Sequence, residues 1–383
     1  MGKGMKLTTA GESHGKALIA VIEGLPAHLT IDVEKINAAL ALRQSGFGRG
    51  ERQKIEQDRV EILTGVRNGE TLGSPVTLCI YNRDFENWES CMSAGACDLE
   101  KMSEKKLTKV RPGHADLTGM KKFSQEDARN VLERASARET AIRVAAGEVY
   151  RQYLSALGVE IGGYVCEVCG IKDGGRYAFN ELLPAKQSAV GMLDGAAAEL
   201  AMAKIADLKK EGDTAGGAVE IRVKGLKSGF GSMMTYAEKL DAQLAQGLMS
   251  IQGVKGVEIG AGFAVAEKSG REIHDEIFYE QTRGFYRNTN RAGGIEGGMS
   301  NGEEIVLRAA MKPIPTLMKG LQTVDFDTKE VSVAASERSD VCAIFALEII
   351  AEAAVAEVLA NAVAKRLGGD TMQEVIARYK LLP

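Results

Sequence analysis

VCAIFALEIIAEAAVAEVLANAVAK, residues 341–365, reads as one long apolar helix of the kind a protein buries. Its apolar runs stop well short of the roughly 20 residues that a membrane span needs. Outward from it, residues 16–23 (KALIAVIE) and 75–81 (PVTLCIY) are short runs with β-branched residues, bounded by Gly or Pro, and read as strands. Residues 217–223, 256–266 and 304–311 read the same way. Between these lie helical patterns at 31–42, with Asp32 or Thr30 as the cap, at 190–210 and at 236–250. Strands alternating with helices imply an α/β or an α+β fold. No Pro- or Ser-rich linker and no fixed-period repeat divides the chain, so residues 1–383 are expected to form a single domain. Residues 82–109 are polar, carry Trp88, and read as a long surface excursion, with 85–109 expected to be a mobile flap.

Residues 124–157 are helical in pattern almost throughout, yet Ser136-Ala-Arg-Glu139 has the form of a capping box inside that run. A main helix from about Ser136 to about Leu157 follows, whose N-terminus would offer free N–H groups to an anion. A continuous helix through 136 competes, and would place Arg134 and Arg138 on one face. Either way, Glu139 and Arg143 have the spacing of a helical ion pair.

With 45% hydrophobic and 26% charged residues the composition is that of a globular protein, while 44 glycines against 7 prolines suggest many tight turns. A net charge of -4 argues against nucleic-acid partners and acidic membranes. Without a signal-like apolar stretch near the start, a cytoplasmic protein is expected. Among six cysteines only 166–169 form a C-x-x-C, and without a second pair free thiols and no metal site are expected. Arginines gather at 43, 49 and 52, at 129, 134, 138 and 143, and at 283, 287 and 291, beside small residues, where guanidinium groups suit carboxylate or phosphate.

Several segments could carry chemistry. GESHG (11–15) places His14 in a glycine-framed turn, and RPGHAD (111–116) places His114 in another. Such turns aim an imidazole, and histidine titrates near neutrality, which suits a proton donor. LRQSGFGRGERQKIEQD (42–58) is an anion-binding loop or a solvated basic loop; an RGG-like RNA patch is disfavoured by one lone aromatic and the acidic balance. GGIEGGMSNG (293–302) and MKPIPT (311–316) form a glycine loop and a lysine at a strand end, matching neither the phosphate loop nor the dinucleotide fingerprint. In SERSDVC (336–342), Asp340 could cap the following helix or accept a proton in a cavity.

Taken in order, G-E-S-H-G, L-R-Q-x-G-x-G-R-G, R-P-G-H-A-D, R-A-S-A-R-E-T-A-x-R-V-A-A-G, G-G-I-E-G-G-x-S-N-G and K-P-I-x-T resemble the chorismate synthase family from residue 11 to 316. The resemblance implies an α+β fold, a single-domain sandwich with helices packed between antiparallel sheets, and a homotetramer. It implies a carbon–oxygen lyase that makes chorismate from 5-enolpyruvylshikimate 3-phosphate by anti-1,4-elimination, the last step of the shikimate pathway to aromatic amino acids. Reduced FMN is required although no net redox change occurs, and NADPH is a candidate reductant. Carried over by position, His14 would protonate the departing phosphate, His114 would serve the anionic reduced flavin, and Asp340 would assist removal of the ring proton. Arg43, Arg49, Arg134 and Arg138 would hold substrate anions. FMN would meet Arg134, Ala135, Ser136, Gln252, Gly253, Gly297, Lys312, Pro313, Ile314, Pro315, Thr316 and Arg338. This chain reads Ser339-Asp340-Val341-Cys342 where many relatives read His-Asp-Pro-Cys, and Gln252-Gly253 where Asn-Ala or Pro-Ala is frequent. An NADPH-dependent flavin reductase is the alternative activity, with Arg43 and Arg49 clamping a nucleotide phosphate.

Overall fold

The structure, a computed structural model, describes residues 4–50, 57–336 and 339–383. Strands β1 (Lys6–Ala10), β2 (Ala17–Glu23), β3 (Glu61–Thr64) and β4 (Val76–Tyr81) form an antiparallel sheet in the order β1-β2-β4-β3. A second antiparallel sheet, in the order β8-β9-β7-β5-β6, comprises β5 (Glu160–Val168), β6 (Ile171–Lys172), β7 (Gly217–Lys224), β8 (Val254–Ile259) and β9 (Ile305–Met311). Side chains alternate across each sheet with period two. Leu18, Ala20 and Ile22 on β2, and Val219, Ile221 and Val223 on β7, are buried against the helices between the sheets.

The principal helices are α1 (Val33–Gln44), α2 (Arg129–Ala135), α3 (Thr140–Ser155), α4 (Gly195–Glu211), α5 (Leu240–Met249) and α6 (Ile344–Leu367). Helix α3 packs on β2 and β4, and α6 packs on α3 and on β5 and β7, giving the order sheet, helix, helix, sheet. The expected α+β sandwich with helices between antiparallel sheets is therefore present. Eighteen residues of α6 are buried, among them Glu348 and Glu352. A buried carboxylate needs a partner. Lys186 bridges both, and Arg151 on α3 pairs with Glu352 at 2.7 Å.

Two helices can share this middle layer because Gly147 lacks a side chain: a Cβ there would run into the Cβ of Ala353 on α6.

Several boundaries differ from the sequence reading. The expected strand 256–266 ends at Ile259, because Gly260 (φ +58°) and Gly262 (φ +55°) turn the backbone left-handed, and a 3-10 turn follows at Gly262–Glu267. The helical pattern at 236–250 breaks at Lys239, leaving α5 after a short 3-10 turn. The excursion 82–109 contains the short helices Glu89–Met92 and Leu99–Lys105, the second capped by Asp98. All six cysteines are free, and no metal-binding cluster occurs among the described residues.

Replacing Gly by Ala inside a helix normally stabilises it by about 1 kcal/mol. Gly147→Ala should do the reverse, costing about 1–3 kcal/mol through overpacking against Ala353. Urea unfolding of the two proteins checks the sign.

Candidate active site

The helical run through residue 136 is broken. Ser136 is extended (φ -62°, ψ 143°), its hydroxyl accepts from the Arg138 N–H, and a 3-10 turn leads into α3. The second start is thus real, and the continuous helix is not. The reciprocal half of the capping box is absent: the Glu139 carboxylate accepts instead from Thr9 and Gln252, while Arg143 donates to Ser250. The break also separates the two arginines expected to act together. Arg134 turns outward and donates to Thr9 and to the Gly11 carbonyl. Arg138 turns inward, with Asp58 2.7 Å from Nη1 and Asn82 accepting from Nε and Nη2.

Arg43, from the last turn of α1, reaches the same place, donating to Thr140 and to the Ala137 carbonyl. Burial, with Arg138 and Arg49 nearby, pushes its guanidinium down to about 9, against the pull of Asp58. An anion placed there would relieve that crowding. Beyond α1, Gly48 (φ +89°) lets the loop tuck between Ile205 on α4 and Cys342. Its carbonyl accepts from Val341, and the next residue, Arg49, meets Asp340 at 2.8 Å. The Gly50 N–H donates to the same carboxylate at 2.6 Å. Asp340 therefore does not cap α6, whose cap is Ala343.

Both motif histidines are held alike. His14 Nδ1 lies 2.8 Å from Glu133 on α2, which also accepts the His14 backbone N–H at 2.7 Å and a bond from Arg129. His114 Nδ1 lies 2.5 Å from Asp116, which Arg111 grips with Nε and Nη2. Burial raises each carboxyl, but hydrogen bonds from the histidines, with Arg129 or Arg111, outweigh it, so Glu133 and Asp116 fall below their ordinary values. With Nδ1–H directed at a carboxylate, Nε2 is left for a ligand.

These elements close around one cavity of about 420 Å³, within the range of small-molecule sites, about 300–1,000 Å³. Its lining includes His14, His114, Asp340, Arg43, Arg49, Arg138, Ala135, Ser136, Gln252, Gly253 and Lys312 to Thr316. Among the described lining residues stand five basic side chains, Arg43, Arg49, Arg111, Arg138 and Lys312, and one carboxylate, Asp340, so the site favours a polyanion. Ile251, Met311, Leu347 and Ile350 add apolar wall to the same lining. Arg49 Nε and Gln252 Oε1 are buried there without a hydrogen-bond partner. The 312–316 segment is tied in place: Lys312 Nζ donates to the Gly113 carbonyl, and Thr316 accepts from Arg111 at 3.0 Å.

Two residues expected to meet the cofactor are not among those that line this cavity. Arg134 is outside the cavity lining, and Gly297 (φ +59°) turns a hairpin between Ile295–Glu296 and Met299–Ser300. Arg338 lies outside the described residues, as do Arg52 and Gln53. Sequence reasoning missed Arg111, Asp116, Glu133, Asp58 and Asn82. Arg111 and Asp116 lay inside the R-P-G-H-A-D motif, three residues before and two after His114; Asp58 and Asn82 had no comparable signal.

Because Asp116 titrates below its free value of 3.8, its contribution to stability is full above about pH 4 and fades as the pH falls toward the lowered value. Asp116→Asn should therefore unfold more easily at pH 7, by about 1–3 kcal/mol for the stranded Arg111 and His114, with the gap shrinking at pH 3. Urea denaturation at the two pH values reads this directly.

A family model described as chorismate synthase matches residues 5–364. Chorismate synthases of Caldicellulosiruptor bescii and Geobacter sulfurreducens are each 52% identical to this chain, over 381 and 385 aligned residues, covering 98% of both partners in each case. A crystal structure titled as chorismate synthase superposes with a TM-score of 0.79 at 36% identity, covering 99% of this chain and 97% of the other. The cavity with its paired histidines thus belongs to a carbon–oxygen lyase fold, and the chain is a member of the chorismate synthase family.

Proposed function

We propose that the chain converts 5-enolpyruvylshikimate 3-phosphate into chorismate by anti-1,4-elimination, with reduced FMN bound in the same cavity. The observation that carries this reading is the convergence of four guanidinium groups, one ammonium and two carboxylate-held imidazoles on one apolar-walled cavity. The substrate carries a phosphate and two carboxylates, which is the charge such a lining would neutralise.

The residues present also suit the cofactor. Its flat ring system matches the wall of Ile251, Met311, Leu347 and Ile350, and the partnerless Arg49 Nε and Gln252 Oε1 are a donor and an acceptor that a ligand would satisfy. Ala135, Ser136, Gln252, Gly253 and Lys312 to Thr316 would hold it. Reduced FMN, when bound, lends electron density to the allylic C–O bond and recovers it without net redox change.

The protein's own part is binding and proton management. Arg43, Arg49 and Arg138 hold the anions and draw electron density toward the departing phosphate oxygen. His14 Nε2 delivers a proton to that oxygen, and Glu133 balances the imidazolium that precedes the transfer. His114, held by Asp116, donates a hydrogen bond on the cofactor side. Asp340, fixed by Arg49 and Gly50, is the carboxylate available to hold the proton that leaves the ring. We also infer a homotetramer: exposed Ile19, Leu63 and Tyr81 on the first sheet, with Phe263 and Phe285, are apolar surface for subunit contacts. No described helix is long and apolar enough to cross a membrane, which accords with a cytoplasmic enzyme.

His14→Ala and His114→Ala should each lower phosphate release by about 10²–10⁴ fold under anaerobic conditions with dithionite-reduced FMN, while flavin affinity stays near that of the parent. Full turnover in both variants removes the roles assigned here. Arg49→Ala should raise KM for the enolpyruvyl substrate more than it lowers kcat, as initial rates across substrate concentration will show. Light scattering after gel filtration tests the tetramer.

A further inference from the structure

Trp88 is the chain's single tryptophan, and its indole lies against the His14 imidazole, with ring centroids 4.1 Å apart and planes 30° from parallel. It belongs to the polar excursion of residues 82–109, where most side chains are exposed and little apolar surface anchors the backbone. Its own position is nevertheless well determined. The indole N–H donates to Asp84 at 3.1 Å, and the Lys105 ammonium and Arg129 guanidinium each lie 4.8 Å from the ring centroid. Arg129 also donates to the Lys105 carbonyl and to Glu133, so the carboxylate at the edge of His14 and the indole on its face are clamped by one arginine.

We propose that Trp88 is a positioning residue for His14: seated on the imidazole face, it fixes the ring plane that Glu133 alone leaves free to tilt. One contact at the edge of a ring restrains its direction, whereas an edge contact and a face contact together restrain direction and tilt. The stack also keeps water from one face of the proton donor, and an imidazolium over an indole is favoured by the ring's quadrupole. The charged groups that face the pair are Glu133 and Arg129 from α2 and Asp84 and Lys105 from the 82–109 excursion, with Arg49, Arg138 and Asp340 lining the cavity that His14 lines. The proposal rests on the reading of His14 as the donor to the leaving phosphate.

Because the chain has one tryptophan, its emission isolates this contact. In the flavin-free full-length protein, His14→Ala should shift Trp88 emission to longer wavelength and raise iodide quenching at least twofold, since the indole loses its cover. In turnover, Trp88→Ala should lower kcat about tenfold with KM changed less than twofold, and Trp88→Phe, which keeps a ring on the imidazole, should restore most of the loss. Emission unmoved by His14→Ala, or Trp88→Ala turning over like the parent, overturns the proposal. Should His14→Ala leave turnover intact while emission still shifts, the donor role of His14 fails and the ring contact stands, so the two failures read differently.

Discussion

Like charges brought into one small cavity repel, and four guanidinium groups beside an ammonium would push the surrounding segments apart unless something opposed them. Here carboxylates from separate parts of the chain oppose them. Asp58 sits under Arg43 and Arg138, Asp116 under Arg111, Asp340 against Arg49, and Glu133 against Arg129 and His14. Arg43, Arg49, Arg111 and Arg138 each meet an acid and also line the cavity, while Lys312 is held by the Gly113 carbonyl. The acids offset part of that charge, and burial, with Arg138 and Arg49 nearby, still lowers Arg43. An arriving polyanion meets a preformed field, with little cost for rearranging side chains.

The same acids set the direction of the imidazoles. A histidine in a glycine turn has nothing beside it to stop rotation, and Glu133 and Asp116 supply the stop. The two sites are built from different backbone. Glu133 comes from a helix more than a hundred residues away, whereas Asp116 belongs to the same turn as His114. Their common geometry therefore reflects a shared chemical need more than a shared local fold.

Much of this could be read from the residues. The strand runs at 16–23, 75–81 and 304–311, the cap at Asp32 and the helix start at Ser136 follow from local rules of periodicity and capping, and they fall close to where the strands and helices lie. Motif histidines and arginines were legible because glycine and proline around them make sense only if the backbone must turn. The counter-ions were not. Asp58 ends the 42–58 loop and Asn82 opens the 82–109 excursion, but their roles as partners of Arg138 arise from tertiary closure that no spacing encodes. Arg134 shares a motif with Arg138, but the extended residue between them parts their side chains, and Arg134 donates to Thr9 while Arg138 meets Asp58. Left-handed glycines at 260 and 262 cut a strand whose apolar pattern alone would continue.

The central position of α6 has a consequence for biosynthesis. Both sheets lean on a layer that includes this helix, yet it follows every strand of both sheets in the chain. The N-terminal strand is tied to it as well, since the Met5 amide donates to Asn361. Until this helix has been made, the nascent chain carries apolar sheet faces with part of their cover missing, which is the condition under which chaperones are recruited and truncated products aggregate.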